Sequence, residues 1–364
     1  MKMEQFHIKN GDEELSESEK LGRAEKYWEL RLKGEERIAV PQRKKCEFSI
    51  VVPVYGENIE RLKKQIDSIK NQSTDPDKYE IIYIVNNDVP TDNQAGQTIV
   101  EQNQKLINLL SADYKDLPIF IIDKSSTGHE IPGCNVGKAR NRGVAEASIR
   151  FYENGKDGLI IQTDADTYFE DRNYLKKIQG ALEKSPDVIG VAGGLIFEFD
   201  PDTANVEEKQ RMERKIDIFI KQKKLKIMEK FLKKGEVYSP LRDATFSGAN
   251  MISKSLESAI IGGLTDVASG EDPRFGNDLA KYAEHNHGRV IGMKDELKVV
   301  TALRDSDRTP SSFKKAFDQI DPDEPSFLID NIIKEKEKLI SERKGGKELL
   351  ESIEKMIQQV RMAD

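Results

Sequence analysis

Three acids crowd the stretch GLIIQTDADTYFED at residues 158–171, where Asp164, Asp166 and Asp171 follow an apolar run. Asp164 and Asp166 alternate, so on an extended backbone both point to one side. Like charges that close repel, and a hard divalent cation with oxygen ligands, Mn2+ or Mg2+, would offset the repulsion. The plainer alternative is a solvated turn at a strand end, where Asp is at home. A second acidic pair, Glu271–Asp272, opens a helix-like segment behind the Gly-rich GGLTDVASG. A carboxylate there can serve as a general base, or can simply favour a helix N-terminus. Lys138, Arg140 and Arg142 sit in GKARNRG, cations that suit either a phosphate or the solvated face of a helix. Arg304 and Arg308 end a late strand-like run, placed to clamp a diphosphate or to pair with Asp305 and Asp307.

Alternating segments must position these groups. CEFSIVVPVYG (46–56), YEIIYIVNND (79–88), LPIFIID (117–123) and GLIIQTD (158–164) are apolar runs of strand length. Between them NIERLKKQIDSIKNQS (58–73), QTIVEQNQKLINLL (97–110) and GKARNRGVAEASIRFYENG (137–155) read as helices. Strand alternating with helix predicts an α/β fold, a mostly parallel sheet flanked by helices, with ligands beyond the carboxyl ends of the strands. Tyr55, Glu57, Asn87, Asp88, Asp164 and Asp166 all follow predicted strands, so they converge on that edge. Further on, DVIGVAGGLIFEF (187–199) predicts a strand, a Gly-Gly break and a second strand. ATFSGANMIS (244–253) and ELKVVTALRDSDR (296–308) predict two more. The organisation expected is a helical arm over 1–45, a core domain over 46–310 with a basic helical insertion at 205–234, and a helical extension over 311–364.

Bulk properties narrow the class. The 364 residues are 37% hydrophobic and 34% charged, as in a soluble globular protein with much exposed helix. A net charge of -7 argues against nucleic acid as a partner. No apolar run approaches membrane-spanning length, and the polar, acidic N-terminus does not read as a secretory signal. The two cysteines, Cys46 and Cys134, are far apart and fit a reducing compartment rather than a disulfide or zinc framework. A cytoplasmic protein is the expectation. The basic stretch 205–234 leaves peripheral contact with the inner membrane face open, against a solvated helix face as the commoner alternative.

Taken in order, FSIVVPVYGENIERLKKQIDSI, IIYIVNND, GKARNRGV, IIQTDADTYF, FSGANMIS and GGLTDVASGEDPRFGNDLAKY resemble the motifs of family 2 glycosyltransferases over residues 46 to 300. The resemblance implies a GT-A fold and a metal-dependent, inverting transfer of a sugar from a nucleotide donor, UDP-linked by preference, to a hydroxyl of a glycan or lipid-linked acceptor. It implies that Pro53, Tyr55 and Glu57 line the nucleotide pocket and that Asn87 and Asp88 meet base or ribose. There the family carries two aspartates and this chain has NND. Lys138, Arg140 and Arg142 then lie near the sugar-nucleotide, with Arg304 at the diphosphate. Asp166 becomes the metal ligand, and Asp164 faces ribose or sugar or shares the metal. Asp272 is the implied base, with Glu271 the alternative. His285 or His287 falls where some relatives place a further metal ligand, although a surface histidine is the simpler reading. The glycines of VAGG (191–194) and FSGAN (246–250) would approach donor and acceptor, or serve packing. Two other classes compete. A sugar-phosphate nucleotidyltransferase would want a Gly-rich phosphate loop straight after the first strand, which PVYGEN does not supply. A non-catalytic scaffold of the same fold would tolerate loss of Asp164, Asp166 and Asp272, which are all present.

Overall fold

The computed structural model describes residues 14–87, 94–131, 133, 135–199, 206–234, 246–267, 270–303, 319–323 and 326–341. Among them, seven strands build one sheet: β1 Phe48–Val54, β2 Tyr79–Asn86, β3 Ile119–Lys124, β4 Leu159–Gln162, β5 Val188–Phe199, β6 Met251–Lys254 and β7 Arg289–Leu303. Their order is β3-β2-β1-β4-β6-β5-β7. Central β1 pairs in parallel with β2 and with β4, and β2 in parallel with β3. β6 runs antiparallel to both β4 and β5. The helices are α1 Glu17–Leu32, α2 Ile59–Lys70, α3 Gln94–Asp113, α4 Val136–Glu153, α5 Tyr174–Lys184, α6 Val206–Lys234, α7 Ser255–Ile260, α8 Glu271–His285 and α9 Ser326–Ser341.

The unbroken apolar runs of β1 and β2 follow from cover on both faces. Ile50, Val52, Ile81 and Tyr83 point to one side, where Leu62 and Ile66 of α2, Leu106 of α3 and Ile178 of α5 complete the core. Val51 and Ile84 point to the other, and α4 lies on them. The approach is so close that a Cβ on Gly143 would stand 2.5 Å from the Val51 side chain and 2.4 Å from that of Ile84. α1 and α7 pack over the outside of α4, which buries it almost all round. A helix in that position needs small residues, and Gly137, Ala139, Gly143, Ala145 and Ala147 are buried along it.

Side chains within residues 14–45 bond to α4 and β2. Asn135 caps α4, accepting the Lys138 N–H, and Trp28 of α1 donates its indole N–H to Ser148 Oγ of α4 at 2.8 Å. Beyond α1, Arg37 Nε donates to Glu146 at 2.9 Å, and Gln42 Nε2 donates to Glu80 at 2.9 Å. Glu80 is a buried β2 carboxylate that also takes the Arg150 guanidinium at 2.7 Å and the Ser49 hydroxyl at 2.6 Å. Such a carboxylate is tolerable because every oxygen is engaged.

Contacts divide the chain into two units, Met1–Glu198 with Ala244–Ala302, and Phe199–Asp243 with Leu303–Asp364. The second contains α6 and α9. Ile218 and Met228 of α6 bury against Ile329 and Ile333 of α9, and Lys221 bridges the pair by donating to Asp330 at 2.8 Å.

Expectations for the sheet change in places. β5 runs without interruption through Gly193 and Gly194. These glycines mark neighbours rather than a break: a Cβ on Gly193 would strike the Asn250 side chain, and one on Gly194 the Lys294 carbonyl. The strand expected over 244–253 is only Met251–Lys254, and it passes at once into α7. The start of α7 is set by Asp157, whose Oδ1 accepts from the Ser255 hydroxyl at 3.0 Å and the Leu256 N–H at 3.1 Å. Burial, with Asp157 nearby, pushes the Glu257 carboxyl up to about 7. Because its folded pKa lies above the ordinary value of 4.5, the native state holds the proton more tightly, and stability falls as pH rises between these two values. Glu257→Gln is expected to raise the unfolding temperature at pH 8 and to change it little at pH 4, measured by thermal denaturation at both.

Candidate active site

Parallel pairing of β1, β2 and β4 brings their carboxyl ends to one edge. Tyr55 and Glu57 follow β1, Asn87 follows β2, and Asp164 and Asp166 follow β4. The acidic turn is fixed from both sides. Gln65 of α2 donates Nε2–H to the Asp164 carbonyl at 2.5 Å, with the Tyr83 hydroxyl on Gln65 Oε1 at 3.2 Å. The Thr167 N–H closes the turn onto the same carbonyl at 3.1 Å, and Tyr168 pairs antiparallel with Val300 of β7.

Arg140 sits at the centre of the site. It is 1% exposed, its Nη2 is bonded to Asp164 Oδ1, and its Nε lies 3.7 Å from Glu271 Oε1. Gly248 passes directly over the guanidinium, where a Cβ would stand 2.3 Å from Nη2. The Gly248 N–H donates to Asp272 Oδ2 at 2.9 Å. One backbone segment thus touches the arginine and orients the second acid of α8. The two acids differ in surroundings: Glu271 is buried, whereas Asp272 is half-buried. Burial pushes the Glu271 carboxyl above its ordinary range, and the Arg140 charge opposes that rise.

Other expected residues are placed differently. Arg142 does not face this edge. It is 3% exposed and donates to Glu146 at 2.9 Å and to the Glu36 carbonyl at 2.6 Å. Successive helix positions turn by about 100°, so residues two apart face opposite sides. Arg140 and Arg142 therefore could not both reach the ligand, a signal the sequence itself contained. Asn87 is buried, donating to the Ser125 carbonyl at 3.0 Å, and Asn103 ties the same corner by donating to the Asn86 carbonyl at 2.9 Å. Half-buried Pro53 lies within β1, and Lys138 is half-buried in the first turn of α4. His287 is exposed and lies 3.3 Å from Glu14. Asp88, Arg304 and Arg308 lie outside the described residues. Sequence reasoning overlooked Gln65 and Asn141, since neither amide forms part of an acidic or basic motif.

No group of three or more His, Cys, Asp or Glu side chains among the described residues could hold a metal by itself. A cation fits only in the manner usual for magnesium, on one or two carboxylates with substrate oxygens and water completing the shell. Arg140 occupies one oxygen of Asp164.

A family model described as glycosyl transferase family 2 matches residues 49–237, just over half of the chain. The chain belongs to that family. This glycosyltransferase has the mixed α/β architecture expected of it, with the acidic turn at the carboxyl edge of its sheet. No curated protein sequence matches it. Among solved structures it is similar to the mannosyltransferase PcManGT from Pyrobaculum calidifontis in complex with GDP-Man and Mn2+, at 15% identity and a TM-score of 0.46, over 86% of this chain and 78% of that one. It is also similar to S. aureus TarS 1-349 in complex with UDP-GlcNAc, at 13% identity and a TM-score of 0.45, over 80% of this chain and 66% of the other. A third is GalNAc-T7 with UDP, GalNAc and Mn2+, at 12% identity and a TM-score of 0.45, over 71% and 44%. No helix among the described residues is long and apolar enough to cross a membrane.

Removing Arg140 leaves Glu271 buried without its cation, and such broken pairs cost about 3–5 kcal/mol. Arg140→Met is expected to lose stability on that scale in urea unfolding. Adding Glu271→Gln should recover part of the loss, because the second change removes the stranded charge.

Proposed function

We propose that this glycosyltransferase moves a sugar, with inversion, from a nucleoside-diphosphate donor to an acceptor hydroxyl, with Asp272 as general base. The observation that carries this reading is the split between the two acids of α8. Glu271 is buried against Arg140, whereas half-buried Asp272 is held at Oδ2 by the Gly248 N–H. A base must meet the acceptor, and Asp272 is the more exposed of the two. Its second oxygen takes the hydroxyl proton as the acceptor oxygen bonds to the anomeric carbon. The bond from that carbon to the diphosphate breaks, and its electron pair leaves with the nucleotide. Attack opposite the leaving group inverts the centre.

The donor lies at the carboxyl edge of the sheet in this reading, with Tyr55, Glu57 and Lys138 beside the nucleotide. Asp164, steadied by Arg140, faces ribose or sugar, and Asp166 holds a divalent cation. Bound there, Mn2+ or Mg2+ would offset the charge that grows on the diphosphate. A UDP-sugar is the favoured donor in this reading. The acceptor is a glycan or a lipid-linked hydroxyl. The protein acts in the cytoplasm in this reading, where nucleotide sugars would serve as its donors.

The test is a panel of UDP-, GDP-, CDP- and dTDP-sugars incubated with manganese or EDTA, with released nucleotide counted. One donor should turn over, and EDTA should abolish the release. Asp272→Asn should lower kcat by roughly 10²–10⁴-fold, the usual contribution of a positioned base, with nucleotide binding retained. Asp166→Ala should remove the manganese dependence of binding. Full activity in Asp272→Asn would shift the role of base to another group. Silence across the panel, with no nucleotide protection against melting, would favour a scaffold that keeps the fold without turnover.

A further inference from the structure

The segment that precedes the acids of α8 is held from outside the sheet. Asp266 lies six residues before Asp272. Its Oδ1 accepts from Asn141 Nδ2 of α4 at 2.8 Å, and its Oδ2 accepts from Arg31 Nη1 of α1 at 2.7 Å. Asn141 is 1% exposed and secures the segment a second time, for its Oδ1 accepts the Leu264 N–H at 2.8 Å. The Tyr27 hydroxyl of α1 donates to Asn141 at 3.3 Å. Packing follows the same lines. A Cβ on Gly263, a residue with φ +68, would stand 2.3 Å from Asn141 Oδ1 and 2.5 Å from the Tyr27 hydroxyl. A Cβ on Gly137 would stand 2.5 Å from the Thr265 carbonyl. Side chain and backbone are fitted to each other here with no slack.

We propose that Arg31 is a positioning residue for the reaction: through Asp266 it anchors residues 262–267, on the approach to Asp272, so α1 is part of the transfer machinery. The proposal rests on Asp272 being the base. Arg31 belongs to α1, which packs on α4, and its influence is expected on the chemical step rather than on donor binding. The ion pair is largely shielded, with side chains 16% and 21% exposed, which makes it stronger than a surface bridge. Its loss removes one of the two side chains that hold the Asp266 carboxylate.

The experiment uses the full chain as wild type, Arg31→Ala, Arg31→Lys and Asp266→Asn, with Arg43→Ala as control. Arg43 pairs with exposed Asp77 in the same N-terminal stretch, away from α8. Turnover is measured with the donor that the panel identifies, binding with UDP and Mn2+, and amide hydrogen exchange on the free protein. Arg31→Ala should lower kcat about 10-fold or more, as expected for a misplaced catalytic group, while UDP affinity stays within about twofold. Exchange should quicken at residues 262–272 and stay unchanged in β1 and β2. Arg31→Lys should restore much of kcat, Asp266→Asn should resemble Arg31→Ala, and Arg43→Ala should match wild type. Unchanged exchange at 262–272 would overturn the proposal, as would a kcat loss that Arg43→Ala shares. If the wild type turns over no donor, the glycosyl-transfer reading fails by itself. The exchange arm then still decides whether Arg31 orders the segment.

Discussion

A buried guanidinium between two carboxylates is the constraint around which the rest of the site is arranged. Arg140 is nearly inaccessible to solvent, and a charge so placed is tolerable only when opposite charges meet it. Asp164 meets it from the end of β4 and Glu271 from the start of α8. The arginine therefore sets the spacing between the edge of the sheet and the helix behind it. Gly248 has no side chain because the guanidinium fills that space. Asp272 takes its orientation from the same glycine's N–H. Three sequence-distant pieces thus share one positive charge.

Much of the architecture was legible because β1, β2 and β4 are apolar on both faces and alternate with helices of clear period. That pattern forces parallel pairing, which in turn carries Tyr55, Asp164 and Asp166 to one edge. The glycines were harder to read. Gly193 and Gly194 look like a break in a strand, yet they lie within β5 because Asn250 and Lys294 approach too closely for a Cβ. Nothing local distinguishes a glycine that bends the chain from one that makes room for a neighbour. Cations posed a related problem. Arg140 and Arg142 look equivalent in GKARNRG, and only helical phase separates the residue at the site from the one that binds Glu146 and the Glu36 carbonyl. Asn141, between them, carries no charge to draw attention, although its amide bonds to Leu264 and Asp266.

The N-terminal residues were read as an appendage because they are charged and lack strand pattern. In the fold those charges are directed inward. Arg37 reaches Glu146, Glu35 reaches both Lys124 and Arg142, and Gln42 reaches Glu80. Long polar side chains can cover a helix as effectively as apolar ones when their heads find partners. Sequence composition reports the charges and not the partners, so this stretch was bound to look solvated.

The span matched by the family model begins at residue 49 and ends at 237. α1 ends before it and α8 begins after it, yet these two flanks are linked to each other through Arg31 and Asp266. The matched span therefore contains neither partner of this ion pair. A chimera joined to a relative at either limit would receive one charge of the pair and leave its counterpart behind. The two flanks must be exchanged together for the pair to survive the exchange.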